Sequence, residues 1–280
     1  MMAIKYLFID IDGTLFDHGT ESIPPSALLA LHQAHERGHK IFLCTGRANT
    51  EIDPMYRSLP ISGMILSCGA QIYAENEMIY LGQYPQDALK ELVHYMESNQ
   101  IGFSLDGWKR SFFSEEAFTI FAGFSHPDNE VDSELARAEM RKKNMFHLYK
   151  MEEDDYSQIL KISIFSKNTE ACKELLHHLP TSLEGFIHQN PHYAITNGEI
   201  SIKGITKATG MQHILTHYQG EQNDTIAFGD SLNDMEMLLF AHIGVCMGNG
   251  AKELKKVADY VTSSISEDGL YKAFKHFDLI

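Results

Sequence analysis

Residues 4–14 read Ile-Lys-Tyr-Leu-Phe-Ile-Asp-Ile-Asp-Gly-Thr. The nearly continuous apolar run over 4–10 is the pattern of a strand buried on both faces, as in a parallel sheet covered by helices. It ends in two carboxylates, Asp10 and Asp12, and in open α/β sheets the ligand sits beyond the carboxyl ends of the strands. Two residues apart on extended chain, both side chains point the same way. Held together they repel unless a cation binds or one is protonated. Taken alone, Asp-x-Asp-Gly is equally well a solvated turn, with Gly13 supplying a positive φ.

Outward from this stretch the pattern alternates. A helix is expected over 25–37, with Pro25 near its start and Gly38 just past its end. Buried strands follow at 40–44 (KIFLC) and 63–66 (GMIL), with a short helix around 49–58 between them and a hairpin over 71–81 turning at Glu75-Asn76-Glu77. The last third alternates again: helix 206–217, strand 224–228, helix 231–240, strand 242–246, a helix near 250–257, a short strand at 259–261 and a final helix. Such alternation at both ends of the chain implies one parallel sheet built from both ends. Between them the pattern is irregular: a helix at 85–98, short strands near 101–105 and 110–114, and a clear strand at 159–166. The expectation is an α/β core, Rossmann-like, from residues 1–82 and 191–280, with an inserted α+β domain at 83–190.

Bulk properties narrow the function. The 280 residues are 44% hydrophobic and 22% charged, the balance of a globular protein, and no apolar run is long enough to span a membrane. The first ten residues meet an acidic group too early for a signal peptide and carry no cleavage pattern, so the expected location is cytoplasmic. Cys44, Cys68, Cys172 and Cys246 form no CxxC pair and are expected to be reduced and mostly buried. Net charge is −15, and Arg141, Lys142 and Lys143, the densest basic cluster, read as a solvated helix end. No nucleic-acid partner is expected of such a chain.

Three further polar clusters fall where strands end or a helix begins: Thr45-Gly46-Arg47, Gly204-Ile205-Thr206-Lys207, and Gly229-Asp230-Ser231-Leu232-Asn233-Asp234. Singly, Thr45 would be a helix N-cap and Lys207 a surface lysine. Together, four carboxylates at one sheet edge make a hard-oxygen site suited to magnesium. The motifs DIDGT, TGR, GITK and GDSLND, in this order, resemble the four motifs of the haloacid dehalogenase-like hydrolases, and the wider pattern resembles their Cof-type phosphatases. Cys68-Gly69-Ala70, Met247-Gly248-Asn249, and Ala258-Asp259-Tyr260-Val261 followed by Glu267-Asp268-Gly269 extend the likeness. Cys68 departs from it, since such proteins usually carry Asn there, and this puts a loop contact in doubt.

The resemblance implies a phosphatase acting on small phosphorylated metabolites, with the inserted segment as a cap that sets substrate choice. Asp10 would be the nucleophile and form an aspartyl phosphate. Mg2+ would be held by the carboxylates of Asp10 and Asp230 and the backbone carbonyl of Asp12, with Asp234 orienting a bound water. Asp12 would protonate the leaving alcohol and then take a proton from water. Thr45 and Asn233 would donate hydrogen bonds to the transferring group, and Lys207 would supply positive charge. A sugar phosphomutase is a rival reading; it must grip two phosphates, and 83–190 holds only Arg110, Arg137 and Arg141. An inert binding or regulatory protein is another, though such proteins usually lack a carboxylate that is present here. His213 with His217, His32 with His35 and His177 with His178 are read as solvated pairs, and Trp108 as part of a small core rather than a substrate cover.

Overall fold

The structure, a computed structural model, describes residues 4–122, 146–190 and 195–280. Arg137, Arg141, Lys142 and Lys143 lie outside the described residues. The chain separates into two compact units. One comprises residues 1–47, 52–81 and 205–280, and the other residues 48–51 and 82–204.

In chain order the first unit opens with strand β1 (Tyr6–Asp10), helix α1 (Pro25–Glu36), strand β2 (Lys40–Cys44), helix α2 (Pro54–Arg57) and strands β3 (Gly63–Leu66), β4 (Gln71–Ala74) and β5 (Glu77–Leu81). The second unit carries helix α3 (Gln86–Ser98), strands β6 (Gly102–Gly107) and β7 (Ser111–Phe113), helix α4 (Glu115–Ala122), strands β8 (Phe146–His147) and β9 (Ile159–Ser166), helix α5 (Thr169–His177), and strands β10 (Leu183–Asn190) and β11 (Ile195–Ile202). The chain then returns to the first unit with α6 (Lys207–Tyr218), β12 (Thr225–Gly229), α7 (Met235–Phe240), β13 (Ile243–Cys246), α8 (Lys252–Val257), β14 (Tyr260–Val261) and α9 (Gly269–His276).

The first unit's sheet has the order β14-β13-β12-β1-β2-β3-β4-β5. Strands β14 to β3 pair in parallel, while β4 and β5 add an antiparallel hairpin. Strand β1 lies between β2 and β12, one from each end of the sequence, as the alternation requires. Leu7, Phe8 and Ile9 are fully buried, with Leu7 and Ile9 in the core on one face and Phe8 in the core on the other. Each such side chain contributes about 1.5–3 kcal/mol by burial, and together they seat Asp10 at the strand's end.

The second unit's sheet has the order β10-β11-β9-β6-β7-β8, all antiparallel except β7 with β8. One face is the apolar core, built on Phe103, Leu105, Ile162, Ile164 and Ile200. Strand β11 pairs with β9 and β10, so residues 195–204 belong with this unit and not with the first, as the boundary at 190/191 had it. The cause is pairing: Ile195–Ile202 completes the hairpin of β10, a partner the sequence does not announce. Residues 48–51, expected in a core helix, also cluster here: Asn49 Nδ2 donates to the Trp108 carbonyl (2.9 Å) and Thr50 Oγ1 meets Ser111 Oγ (3.0 Å). No helix among the described residues is long and apolar enough to cross a membrane.

Candidate active site

Asp10 closes β1, where it pairs in register with Cys44, and is 4% exposed. Lys207 is the first residue of α6, and Thr206 caps that helix by accepting the Thr209 N–H while Thr209 Oγ1 accepts from the Thr206 N–H. A cation at a helix N-terminus opposes the helix dipole, and Lys207 is also 1% exposed. Two carboxylates offset both costs: the Lys207 ammonium donates to Asp10 Oδ1 (2.6 Å) and Asp234 Oδ1 (2.5 Å). Lys207 is thus the reverse of a surface lysine.

The loop after β12 brings the remaining acids. Asp234 is fully buried, and its Oδ2 accepts the backbone N–H groups of Asp230 and Ser231, both at 3.0 Å. Its two oxygens are therefore engaged by protein donors. Asp230 Oδ1 accepts from Thr14 Oγ1 (3.2 Å), and Asn249 Nδ2 donates to the Gly13 carbonyl (2.8 Å). Gly13 has φ +87°, and a Cβ there would lie 2.4 Å from Asp230 Oδ2, so the loop after β1 can approach that carboxylate only without a side chain.

Asp10, Asp230 and Asp234 each offer an oxygen within 4.8 Å of the others. Two carboxylates at that range repel by about 3–4 kcal/mol at an effective dielectric constant near 20. Burial raises the Asp10 carboxyl well above the usual range, and the Asp234 charge adds to this while Lys207 opposes it. Burial and then Asp234 push Asp230 up to about 7, against the Thr14 hydrogen bond. For Lys207, burial favours the neutral amine, but Asp10 and Asp234 outweigh it and hold the ammonium firmly charged. Three ionised carboxylates and one lysine leave a net charge of −2 in a buried cluster, which a divalent cation relieves. The all-oxygen donor set fits magnesium, with Asp10 and Asp230 as the carboxylates not fully committed to protein donors.

Asp12 departs from the sequence expectation in one respect. The strand ends at Asp10 and the chain turns at once, through Leu15 N–H and Phe16 N–H to the Ile11 carbonyl. The backbone is therefore no longer extended strand at Asp12. The Asp12 carboxylate accepts a fork from Arg47 (Nη2 to Oδ1 2.6 Å, Nε to Oδ2 3.0 Å) and meets His18 Nε2 at 2.9 Å. Neither Arg47 nor His18 was expected at the site; Arg47 stood in the quoted TGR cluster without a role, and an exposed histidine in a surface turn carries no sequence signal.

Thr45 follows β2 and is buried, with Oγ1 accepting the Arg47 N–H (3.1 Å) in a local turn and not at a helix N-terminus. Asn233 is exposed; its carboxamide oxygen accepts from Ser231 Oγ (2.6 Å), which leaves the NH2 as the group to offer a ligand. Ser67, Cys68 and Gly69 have φ of +47°, +52° and +111°, and a Cβ on Gly69 would meet the Thr206 carbonyl at 2.3 Å. Cys68 so occupies a left-handed position that Asn adopts far more readily.

The set-aside residues lie elsewhere. His213 stacks on Tyr80 (centroids 4.0 Å apart), which contradicts its reading as solvated, since the hairpin strand β5 shields it; His217 meets the Tyr218 ring edge-on. His32, His35, His177 and His178 are exposed. Trp108, half-buried in the loop between β6 and β7, lies under the Lys109 ammonium, 4.4 Å from its ring. Cys44, Cys172 and Cys246 are buried, Cys68 is half-buried, and none of the four forms a disulfide.

Comparison with known proteins accords with this site. The sequence profile of the haloacid dehalogenase-like hydrolases matches residues 7–274. The chain belongs to the haloacid dehalogenase-like hydrolases. Within that family it stands among phosphatases: it is similar to the 5-amino-6-(5-phospho-D-ribitylamino)uracil phosphatase YcsE of Bacillus subtilis, 25% identical over 277 residues, covering 99% of this chain and 96% of that protein. It is also similar to the subclass IIB sugar phosphatase BT4131, with 30% identity, a TM-score of 0.77, and 99% and 100% of the two chains covered. A third structure, described for a trigonal-bipyramidal intermediate in a phosphoryl-transfer superfamily, is 32% identical with a TM-score of 0.77 over 99% of this chain and 100% of that one.

Proposed function

We propose that this chain is a magnesium-dependent phosphatase that hydrolyses small phosphorylated metabolites, sugar phosphates or similar monoesters, through an aspartyl phosphate on Asp10. The observation that carries the reading is the buried Lys207 ammonium held between Asp10 and Asp234 at the end of the central strand. It keeps Asp10 oriented and brings positive charge to the point where phosphoryl oxygens would lie.

A bound Mg2+ would be held by the carboxylates of Asp10 and Asp230 and the backbone carbonyl of Asp12, and would neutralise phosphate charge beside the nucleophile. Asp234 acts through the others, its oxygens fixing Lys207 and the 230–231 backbone. In the first step an Asp10 oxygen bonds to phosphorus while the ester P–O bond breaks, and Asp12 gives its proton to the leaving oxygen. In the second, water attacks the phosphoryl group, its proton passes to Asp12, and the Asp10–phosphorus bond breaks. Thr45 and the Asn233 NH2 donate to the transferring group.

For substrate choice the proposal assigns the second unit, and its sheet carries groups that suit a hydroxyl-rich metabolite. The face opposite its apolar core carries Ser104, Asp106, Lys161, Ser163, Asn197 and Glu199, aligned by the registers Ser104↔Ser163, Asp106↔Lys161 and Ser163↔Glu199. Lys161 pairs with Glu199. Asn197 is 1% exposed, and among the described residues neither carboxamide atom has a hydrogen-bond partner. A buried amide left so costs on the order of 1–3 kcal/mol, which a hydroxyl donor and acceptor would offset. The mutase reading is not favoured: Arg110 is committed to Asp155 (3.2 Å) and the Lys150 carbonyl.

Rapid quench with an aryl phosphate and magnesium tests the reading. The expected product is one phosphoryl group on the peptide bearing Asp10, with inorganic phosphate released on turnover. Phosphate release with no phosphopeptide formed at any quench time, in the wild type and in an Asp12→Ala variant, would overturn it.

A further inference from the structure

We infer that His18 is a positioning residue for the reaction, holding the Asp12 carboxyl in the orientation from which it exchanges its proton. This rests on the reading of Asp12 as acid and base. The geometry starts from a compact surface turn. Gly13 N–H donates to the Phe16 carbonyl (3.0 Å), Asp17 and Ser22 exchange backbone hydrogen bonds, and Gly19 N–H donates to Asp17 Oδ1 (2.8 Å). The turn carries His18 back over its own origin, so that Nε2 reaches Asp12 Oδ1 at 2.9 Å. That oxygen also accepts Arg47 Nη2, and while Asp12 is ionised the ring nitrogen facing it carries the hydrogen.

Aromatic rings fix both donors from the side. The Phe16 ring meets the His18 ring edge-on (5.2 Å, 76°) and packs on Tyr56, while the Arg47 guanidinium lies 5.3 Å from the Tyr56 ring and 6.0 Å from Phe16. Arg47 reaches both carboxylate oxygens in a fork that sets the plane of the group. His18 approaches Oδ1 from the turn, a second direction, and adds to the hold of the fork on the Asp12 carboxyl. Its side chain is 43% exposed, so its removal empties no core. The effect falls on one proton: the Asp12 O–H bond breaks as the leaving oxygen gains hydrogen and the ester bond breaks. Misplacing a general acid raises that barrier chiefly for alcohols that leave badly, whereas a phenolate leaves without a proton.

The test compares His18→Ala, His18→Gln and Asp12→Asn on an alkyl phosphate and an aryl phosphate with a good leaving group, in saturating magnesium. For His18→Ala the expected loss in the single-turnover rate of alcohol release is about tenfold or more on the alkyl ester and less than about threefold on the aryl ester. Substrate affinity should be unchanged for both. His18→Gln, whose amide nitrogen can donate from nearly the same place, recovers most of the alkyl rate. An equal loss on the two esters, no loss on the alkyl ester, or no recovery by Gln overturns the role of His18. Should Asp12→Asn itself lack the preference for the aryl ester, the reading of Asp12 fails and the role of His18 falls with it. A preference in Asp12→Asn but not in His18→Ala sinks the inference alone.

Discussion

At the scale of single residues, Asp10 and Cys68 separate chemistry from backbone strain. An amide in place of the Asp10 carboxylate is a very poor nucleophile, yet it removes one of three mutually repelling acids. Asp10→Asn is therefore expected to lose at least about a thousandfold in phosphate release, the scale of losing a covalent nucleophile, while its thermal midpoint stays level or rises. Retention of a tenth of the wild-type rate would exclude Asp10 from that role. Cys68 sits at φ +52°, where an L-residue bears about 1–2 kcal/mol of strain that Asn partly escapes by local hydrogen bonding. Cys68→Asn should raise the thermal midpoint by a few degrees with activity preserved; a lower midpoint would show that the thiol's packing outweighs the strain.

At the scale of elements, the loop from β12 to α7 and the first turn of α6 stand or fall together, because Asp234 joins them. Its Oδ1 holds Lys207 and its Oδ2 holds two backbone N–H groups. Asp234→Ala leaves a buried ammonium with one partner fewer and two amides unmet, so a loss of about 3–5 kcal/mol in denaturant unfolding is expected. The Asp230 side chain accepts from the Thr14 hydroxyl alone among the described residues, and Asp230→Asn should cost less than about 1 kcal/mol while weakening magnesium binding by calorimetry. Equal losses in the two variants would show that Asp234 has no such joining part.

For the whole molecule, the acidic cluster ties folding to pH and cation. The Asp230 carboxyl is raised from an ordinary value near 3.8 to about 7 by burial and by Asp234. A group whose pKa is raised on folding stabilises the fold below its unfolded value and loses that contribution as pH rises through the folded value. Between about pH 4 and pH 7, then, this group makes chelator-treated protein less stable as pH rises. Magnesium binds the deprotonated acids, so its stabilisation should grow over the same interval. Thermal midpoints at pH 5.5 and 7.5, with chelator and with magnesium, test this directly. A magnesium-induced rise that is larger at pH 5.5 would contradict the assignment of the cation to these carboxylates.

Much of the first unit was legible in sequence because its signals are local. The run read over 4–10 appears as β1 from Tyr6 to Asp10, with Ile4 exposed ahead of it, and the matching runs at 40–44, 224–228 and 242–246 appear as β2, β12 and β13 within a residue or so. The acids Asp10, Asp230 and Asp234 and the amine of Lys207 were named from motif order, since each stands beside a strand end or helix start that periodicity locates. Contacts across sequence distance were hidden. Nothing local marks Ile195–Ile202 as the partner of β9 and β10, because pairing depends on which edge is open in three dimensions. Asp12 lies in a turn after β1 where it meets Arg47 and His18, and the direction of a carboxylate in a turn is set by the donors that surround it. Composition and periodicity determined which residue types gather at the sheet's edge. Only tertiary structure decided which oxygen faces which nitrogen, since hydrogen bonds are satisfied between neighbours in space and not along the chain.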